Sequence, residues 1–158
     1  MRKELKPNQV MLLTLMEHYG LREIPGERSD PTIRSWFKRI GQEWADDDVA
    51  WCGCAVAWAA AINGIDRSKD LTARSWLKVG KETKEPEVGD IVVFWRGKTK
   101  NSWKGHVGLF MGFDGDQILC LGGNQSNQLN IKPYHKDRLL GYRKLSFKKK
   151  SSKVESGT

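Results

Sequence analysis

The chain is poor in the residues that would place it in several common classes, and each scarcity excludes something. Its 158 residues hold three cysteines, Cys52, Cys54 and Cys120, an odd number that cannot pair completely, and no export signal is expected ahead of them. A disulfide framework is therefore not expected, which leaves a free thiol three uses: buried hydrophobe, metal ligand or nucleophile. Long apolar runs are missing. The longest, Ala55 to Ile62, is far too short to cross a bilayer as a helix, so membrane insertion is not expected. No secretory leader is expected either: Arg2, Lys3 and Glu4 stand at the start, but the helical pattern after them is broken by Glu17 and His18 and has no small-residue cleavage site. The expectation is synthesis in a cytoplasm without a signal peptide, with release by other means if the target lies outside. Internal repeats and interior linkers are also absent, so a single domain is expected over residues 1–147, with a helical segment at 5–45 and a core at 46–145.

Positive charge is plentiful. The formal net charge is +8 and the pI about 9.5, which draws the protein towards a polyanion such as nucleic acid, anionic lipid or a wall rich in carboxylates and phosphates. Part of the excess sits in a basic tail at 148–158 with Lys148, Lys149, Lys150 and Lys153, expected to be a solvated, disordered end. Charge alone does not choose among these partners.

Hydrophobic spacing predicts helices first and strands second. Asn8 to Tyr19 has helical spacing, with Asn8 as cap and Gly20 as stop. Residues 21–31 carry two prolines and a glycine and should be a loop. Asp30 and Pro31 then open a short helix bearing Ile33, Trp36, Phe37 and Ile40. The alanine-rich segment from Trp51 to Gly64 predicts a buried helix with Asp47 or Asp48 at its N-terminal end, and Ser75 to Leu77 a further helical turn. Beyond Pro86 the pattern turns to strands at 91–95, 106–113 and 117–121, the last two joined by a tight hairpin at Asp114-Gly115, with closing strands at 129–131 and 140–142. This order predicts an α+β fold, with N-terminal helices packed on a small antiparallel β-sheet.

Three residues converge on one chemistry. Cys52 stands in the first turn of the buried helix, where exposed amides and the positive end of the dipole favour a thiolate. His106 opens a strand after the basic, glycine-containing loop 96–105; a cysteine hydrolase needs an imidazole to hold the thiolate and protonate the leaving amine. Asn124 follows the next strand, and hairpin pairing brings it beside His106, where its amide oxygen can accept the second imidazole N–H. Gln125 is the alternative orienter, which strict strand alternation puts on the opposite face. Gly105 and Gly108 leave room for a substrate backbone.

These residue types have other uses. Cys54, two residues on, could be the nucleophile in place of Cys52, but more naturally fills core, as does Cys120. A zinc site built from Cys52, Cys54 and His106 lacks a fourth ligand and usual spacing, so no metal and no cofactor are expected. His18 and His135 read as surface residues, and Asp46 to Asp48 as a capping cluster. Trp36, Trp51, Trp58 and Trp76 read mainly as core. Trp95 and Trp103 bracket the loop before His106 and could line a substrate groove, with Trp51, Gly105 and Gln125 completing the expected substrate-binding set.

The pieces WCGCAV (51–56), VGDIVVF (88–94), GHVGLFMG (105–112), LGGNQSN (121–127) and GYRK (141–144), with IPGERSDPTI (24–33) upstream, resemble the CHAP and NlpC/P60 superfamily, especially its small phage lysis proteins. Gly53-Cys54-Ala55 departs from the alanines and aromatic residue usual there. The resemblance implies a papain-like fold in which Cys52 is nucleophile, His106 base and Asn124 third polar residue. It also implies a monomeric endopeptidase or N-acetylmuramoyl-L-alanine amidase, without specific nucleic-acid binding, that acts on peptidoglycan of the bacterial wall.

Overall fold

The structure is a computed structural model that describes residues 4–22, 30–42 and 51–149. Three helices lead: α1 (Pro7–Met16), α2 (Pro31–Arg39) and α3 (Trp51–Ile62). A 3-10 turn at Ala73–Lys78 follows, and then six strands: β1 (Lys81–Thr83), β2 (Ile91–Trp95), β3 (Gly105–Asp114), β4 (Gln117–Gln125), β5 (Gln128–His135) and β6 (Leu139–Lys144). The strands form one antiparallel sheet in the order β1-β6-β2-β3-β4-β5. The α+β architecture expected from the sequence is the one observed.

Local signals explain most boundaries. Asp30 caps α2, its carboxylate accepting the amides of Thr32 and Ile33 at 2.7 and 3.3 Å, and Pro31 occupies the first helical position. The helix α1 begins two residues earlier than expected. Lys6 holds the cap position, its amide donating to Gln9 Oε1 at 2.8 Å, while Asn8 lies inside the helix and donates to the Val88 carbonyl. The hairpin between β3 and β4 turns at Gly115 and Asp116, one residue later than expected, with Asp114 paired to Gln117. The expected cap at Asp47 or Asp48 lies outside the described residues, as do Asp46 and the end of the basic tail.

The sheet has two apolar faces. On one, Ile91, Val93, Val107, Leu109 and Leu121 pack against α3, whose Cys52, Ala55, Val56, Ala59 and Ala60 are fully buried. Small side chains let neighbouring backbone pack close on this helix: a Cβ on Gly53 would stand 2.3 Å from the carbonyl oxygen of Leu71, in the segment before the 3-10 turn. On the other face Val92, Phe94, Phe110, Ile118, Cys120 and Tyr142 form a smaller cluster. Trp36 and Trp58 stack at 4.4 Å and tie α2 to α3, and His18 meets both edge-on at 5.1 and 5.3 Å. His18 is thus half-buried in an aromatic contact, contrary to the surface position expected, whereas His135 is exposed as expected.

Candidate active site

Cys52 stands in the first turn of α3. The backbone amides of Cys52 and Gly53 at the helix start, and that of Val107 on β3, all favour its thiolate, as does the charge of Arg96. Burial opposes them and prevails: the sulfur has no exposed surface and its pKa is raised. Cys54 and Cys120 are also buried free thiols raised by burial, without the surrounding amides that Cys52 has.

His106 is buried on β3, and alternation turns it to the face away from α3, with Phe94 beside it in register. Its ring stacks on Tyr134 with centroids 5.2 Å apart. The partner of Nε2 is Gln125 Oε1 at 2.8 Å, which corrects the expectation of Asn124. The reason is a bulge. Between Gly122 and Gln125 on β4 the chain advances three residues while β5 advances two, from Asn130 to Gln128. Asn124 takes φ 59°, a left-handed conformation that asparagine tolerates. The extra residue inverts the alternation, so Gln125 takes the place that uninterrupted pairing would give Asn124.

The orientation of Gln125 is fully determined. Its Nε2 donates to the carbonyls of Cys120 and Asn130 at 3.2 and 2.7 Å and to Asn130 Oδ1 at 3.0 Å, so Oε1 must face the imidazole. Tyr134, its phenol pushed up to about 12 by burial, donates to the same oxygen at 3.0 Å. An acceptor at Oε1 requires His106 to carry its proton on Nε2, leaving the Nδ1 lone pair free. That lone pair meets Arg96 Nη2 at 3.2 Å. Burial first, and then the Arg96 charge, push the imidazole pKa down to about 3, so His106 is neutral near pH 7.

Arg96 is the residue that sequence reasoning missed as part of the site. It closes β2 at the start of the loop to His106, and its guanidinium acts on both the thiol and the imidazole. No hydrogen bond joins the Cys52 sulfur to the His106 ring directly. The signal available was position alone: Arg96 follows Trp95, and Trp95 pairs with Gly105 just before His106.

The remaining expected site residues divide. Gln125 is buried and its side chain holds the His106 ring. Trp51 is fully buried; a Cβ on Gly123 would lie 2.6 Å from its ring. Gly122 makes corresponding room for the pair behind it, since a Cβ there would approach His106 Nε2 and Gln125 Oε1 to 3.2 Å each. Trp95 is half-buried, its Nε1 donating to the Asp137 carbonyl and its face covered by Arg138 at 4.1 Å. Trp103 is 77% exposed just before β3, and Gly105 packs closely on the Phe94 carbonyl and Arg74. Among the described residues no three His, Cys, Asp or Glu side chains are grouped to hold a metal.

A helix-start cysteine, a strand histidine and a polar orienter on the next strand, carried on a helix-and-sheet scaffold, can be compared with known proteins. A protein similar to a lipoprotein of the NLP/P60 family from Staphylococcus aureus subsp. aureus Mu50 has a similar structure, with TM-score 0.56 and 17% identity over 94% of this chain and 44% of that one. NlpC1 from Trichomonas vaginalis is similar at TM-score 0.54 and 15% identity, over 92% of this chain and 47% of that one. At such identities the likeness shows the fold, and this chain spans less than half the length of either protein. No curated protein matches the sequence. Residues 44–124, more than half of the chain and inclusive of Cys52, His106 and Asn124, match the CHAP domain family. The chain belongs to the CHAP domain family.

Proposed function

We propose that this protein hydrolyses an amide bond in the stem peptide or cross-bridge of peptidoglycan through Cys52, with His106 as base and Gln125 holding the imidazole. The observation that carries this reading is the electrostatic setting of one sulfur: three backbone amides and a guanidinium converge on Cys52, and neither other cysteine has such an array. Cys52 and His106 pack from opposite faces of the sheet, so this reading requires the thiol to reach Nδ1 around the start of β3; Nδ1 then takes the thiol proton while Nε2 keeps its own on Gln125. The thiolate attacks the carbonyl carbon, and the Cys52 amide at the helix start stabilises the oxyanion. Imidazolium protonates the departing amine, and water activated by His106 then cleaves the thioester. The net charge of +8 favours accumulation on an anionic wall.

Cys52→Ala tests it. Wild-type protein should clear a suspension of purified sacculi and the variant should not, with an unchanged circular dichroism spectrum. Lysis by the variant would refute the mechanism. Mass spectra of the released fragments identify the bond.

A second reading, a non-catalytic wall-binding module, is favoured by the complete burial of the sulfur. It predicts binding to sacculi without release of fragments and no effect of Cys52 alkylation.

A further inference from the structure

We propose that Arg96 is a receptor for a carboxylate of the substrate and that, until such a group arrives, it latches the base by occupying His106 Nδ1. This rests on the hydrolase reading above and names a property of the substrate that the reading leaves open.

In the structure both imidazole nitrogens are engaged: Nε2 by Gln125 at 2.8 Å and Nδ1 by Arg96 Nη2 at 3.2 Å. A nitrogen that already accepts a hydrogen bond from a permanent cation cannot take the thiol proton. Arg96 must leave Nδ1 before Cys52 can be deprotonated by it. A neutral imidazole is also a poor long-term partner for a half-buried guanidinium, which forms planar, paired hydrogen bonds with carboxylates about twice as strong as those between neutral groups. Among the described residues no arginine has an acidic partner, but Arg74, Arg138 and Arg143 are held by backbone carbonyls, whereas Arg96 Nη2 meets a neutral imidazole. The backbone at Arg96 is fixed: its amide donates to the Lys104 carbonyl at 3.2 Å, and Arg74 and Arg138 bind the carbonyls of Lys100, Lys104 and Gly97 in the same loop. Leaving Nδ1 then requires only that the side chain rotate about this anchor. A carboxylate beside the scissile amide draws the guanidinium off Nδ1, frees the lone pair for the thiol proton and keeps the cation near the developing thiolate.

The test uses two alkylating reagents of nearly equal size, iodoacetate and iodoacetamide, on the whole protein, with each cysteine followed by peptide mass spectrometry. Both form the same S–C bond and release iodide. The ratio of their rates at Cys52, normalised to the ratio for free cysteine, should be roughly tenfold or more in favour of iodoacetate in the wild type, and should fall to about one in Arg96→Gln. Arg96→Lys, which keeps the charge and loses the fork, should fall between. Cys52, Cys54 and Cys120 are all buried in the structure, so alkylation confined to Cys52 reports opening at the site, and continued protection of the other two in Arg96→Gln shows an intact core. A normalised wild-type ratio near one overturns the proposal whatever the variants do. An unchanged ratio in a folded Arg96→Gln also overturns it while leaving the hydrolase reading intact, provided lysis still depends on Cys52. Failure of both reagents to modify Cys52 overturns the hydrolase reading and the latch together.

Discussion

His106 should make this protein acid-sensitive in a way that one substitution removes. In the unfolded chain its imidazole titrates near 6.5, whereas in the fold the value is pushed down to about 3 by burial and by Arg96. Between these values the unfolded state binds one more proton than the native state, so stability falls as pH falls through that window. Integrating the one-proton difference from pH 7.5 to 5.0 gives a loss of about 2 kcal/mol from this residue. For a domain of this size the loss lowers Tm by about 4–8 °C. Carboxylates titrate below this range and add their own slope, so the quantity of interest is a difference between two proteins. In His106→Gln the amide can donate to Gln125 and accept from Arg96, yet it carries no titratable group. Urea denaturation of both proteins at pH 7.5 and 5.0 isolates the effect: the wild type should lose about 2 kcal/mol more than His106→Gln on acidification. Equal losses would mean that the imidazole titrates as it does in solvent, and the locked, neutral ring with both nitrogens occupied would then be wrong.

Gln125→Ala should lower lytic activity by roughly ten- to a hundredfold and also destabilise the fold, because it strips the imidazole of its partner and leaves buried acceptors unpaired. Asn124→Gly should leave activity within about threefold of wild type, since glycine accepts φ 59° and the side chain does not contact His106; sacculus turbidity assays of the two variants compare them directly. Gly53→Ala should destabilise by about 1–3 kcal/mol although alanine is the better helix former, because the new methyl meets backbone at Leu71 that has no room to yield; thermal unfolding measures it.

Much of this was legible because local chemistry and global packing agree. Asp30-Pro31 had only one reasonable meaning, and the continuous apolar runs of β2 to β4 matched strands buried on both faces. The strand β1 was not legible: Lys81-Glu82-Thr83 has no apolar face, and its pairing with β6 is visible only in three dimensions. The inward residues of α1 are Met11 and Leu15, while Leu13, Met16 and Tyr19 are exposed; a helix rich in apolar residues on every side carries too little contrast to show which face is buried. At the site, Cys52 and His106 could be read from position within their elements, but the choice between Asn124 and Gln125 depended on parity along β4. One inserted residue reverses that parity, and nothing in GGNQSN marks a bulge except asparagine's tolerance of positive φ. Arg96 escaped notice because a lone arginine in a basic loop reads as solvated charge until the fold shows what it touches.

The contact between Trp51 and Gly123 ties together two segments more than seventy residues apart in the chain. The indole that sets the start of the cysteine-bearing helix rests on a place where the fourth strand has no side chain. A methyl at position 123 would lift the helix start, and with it the sulfur, whereas a methyl at position 122 would press on the histidine and glutamine. Neighbouring lesions should therefore be rescued by different second-site changes: a smaller ring at 51 suppresses the first and cannot suppress the second.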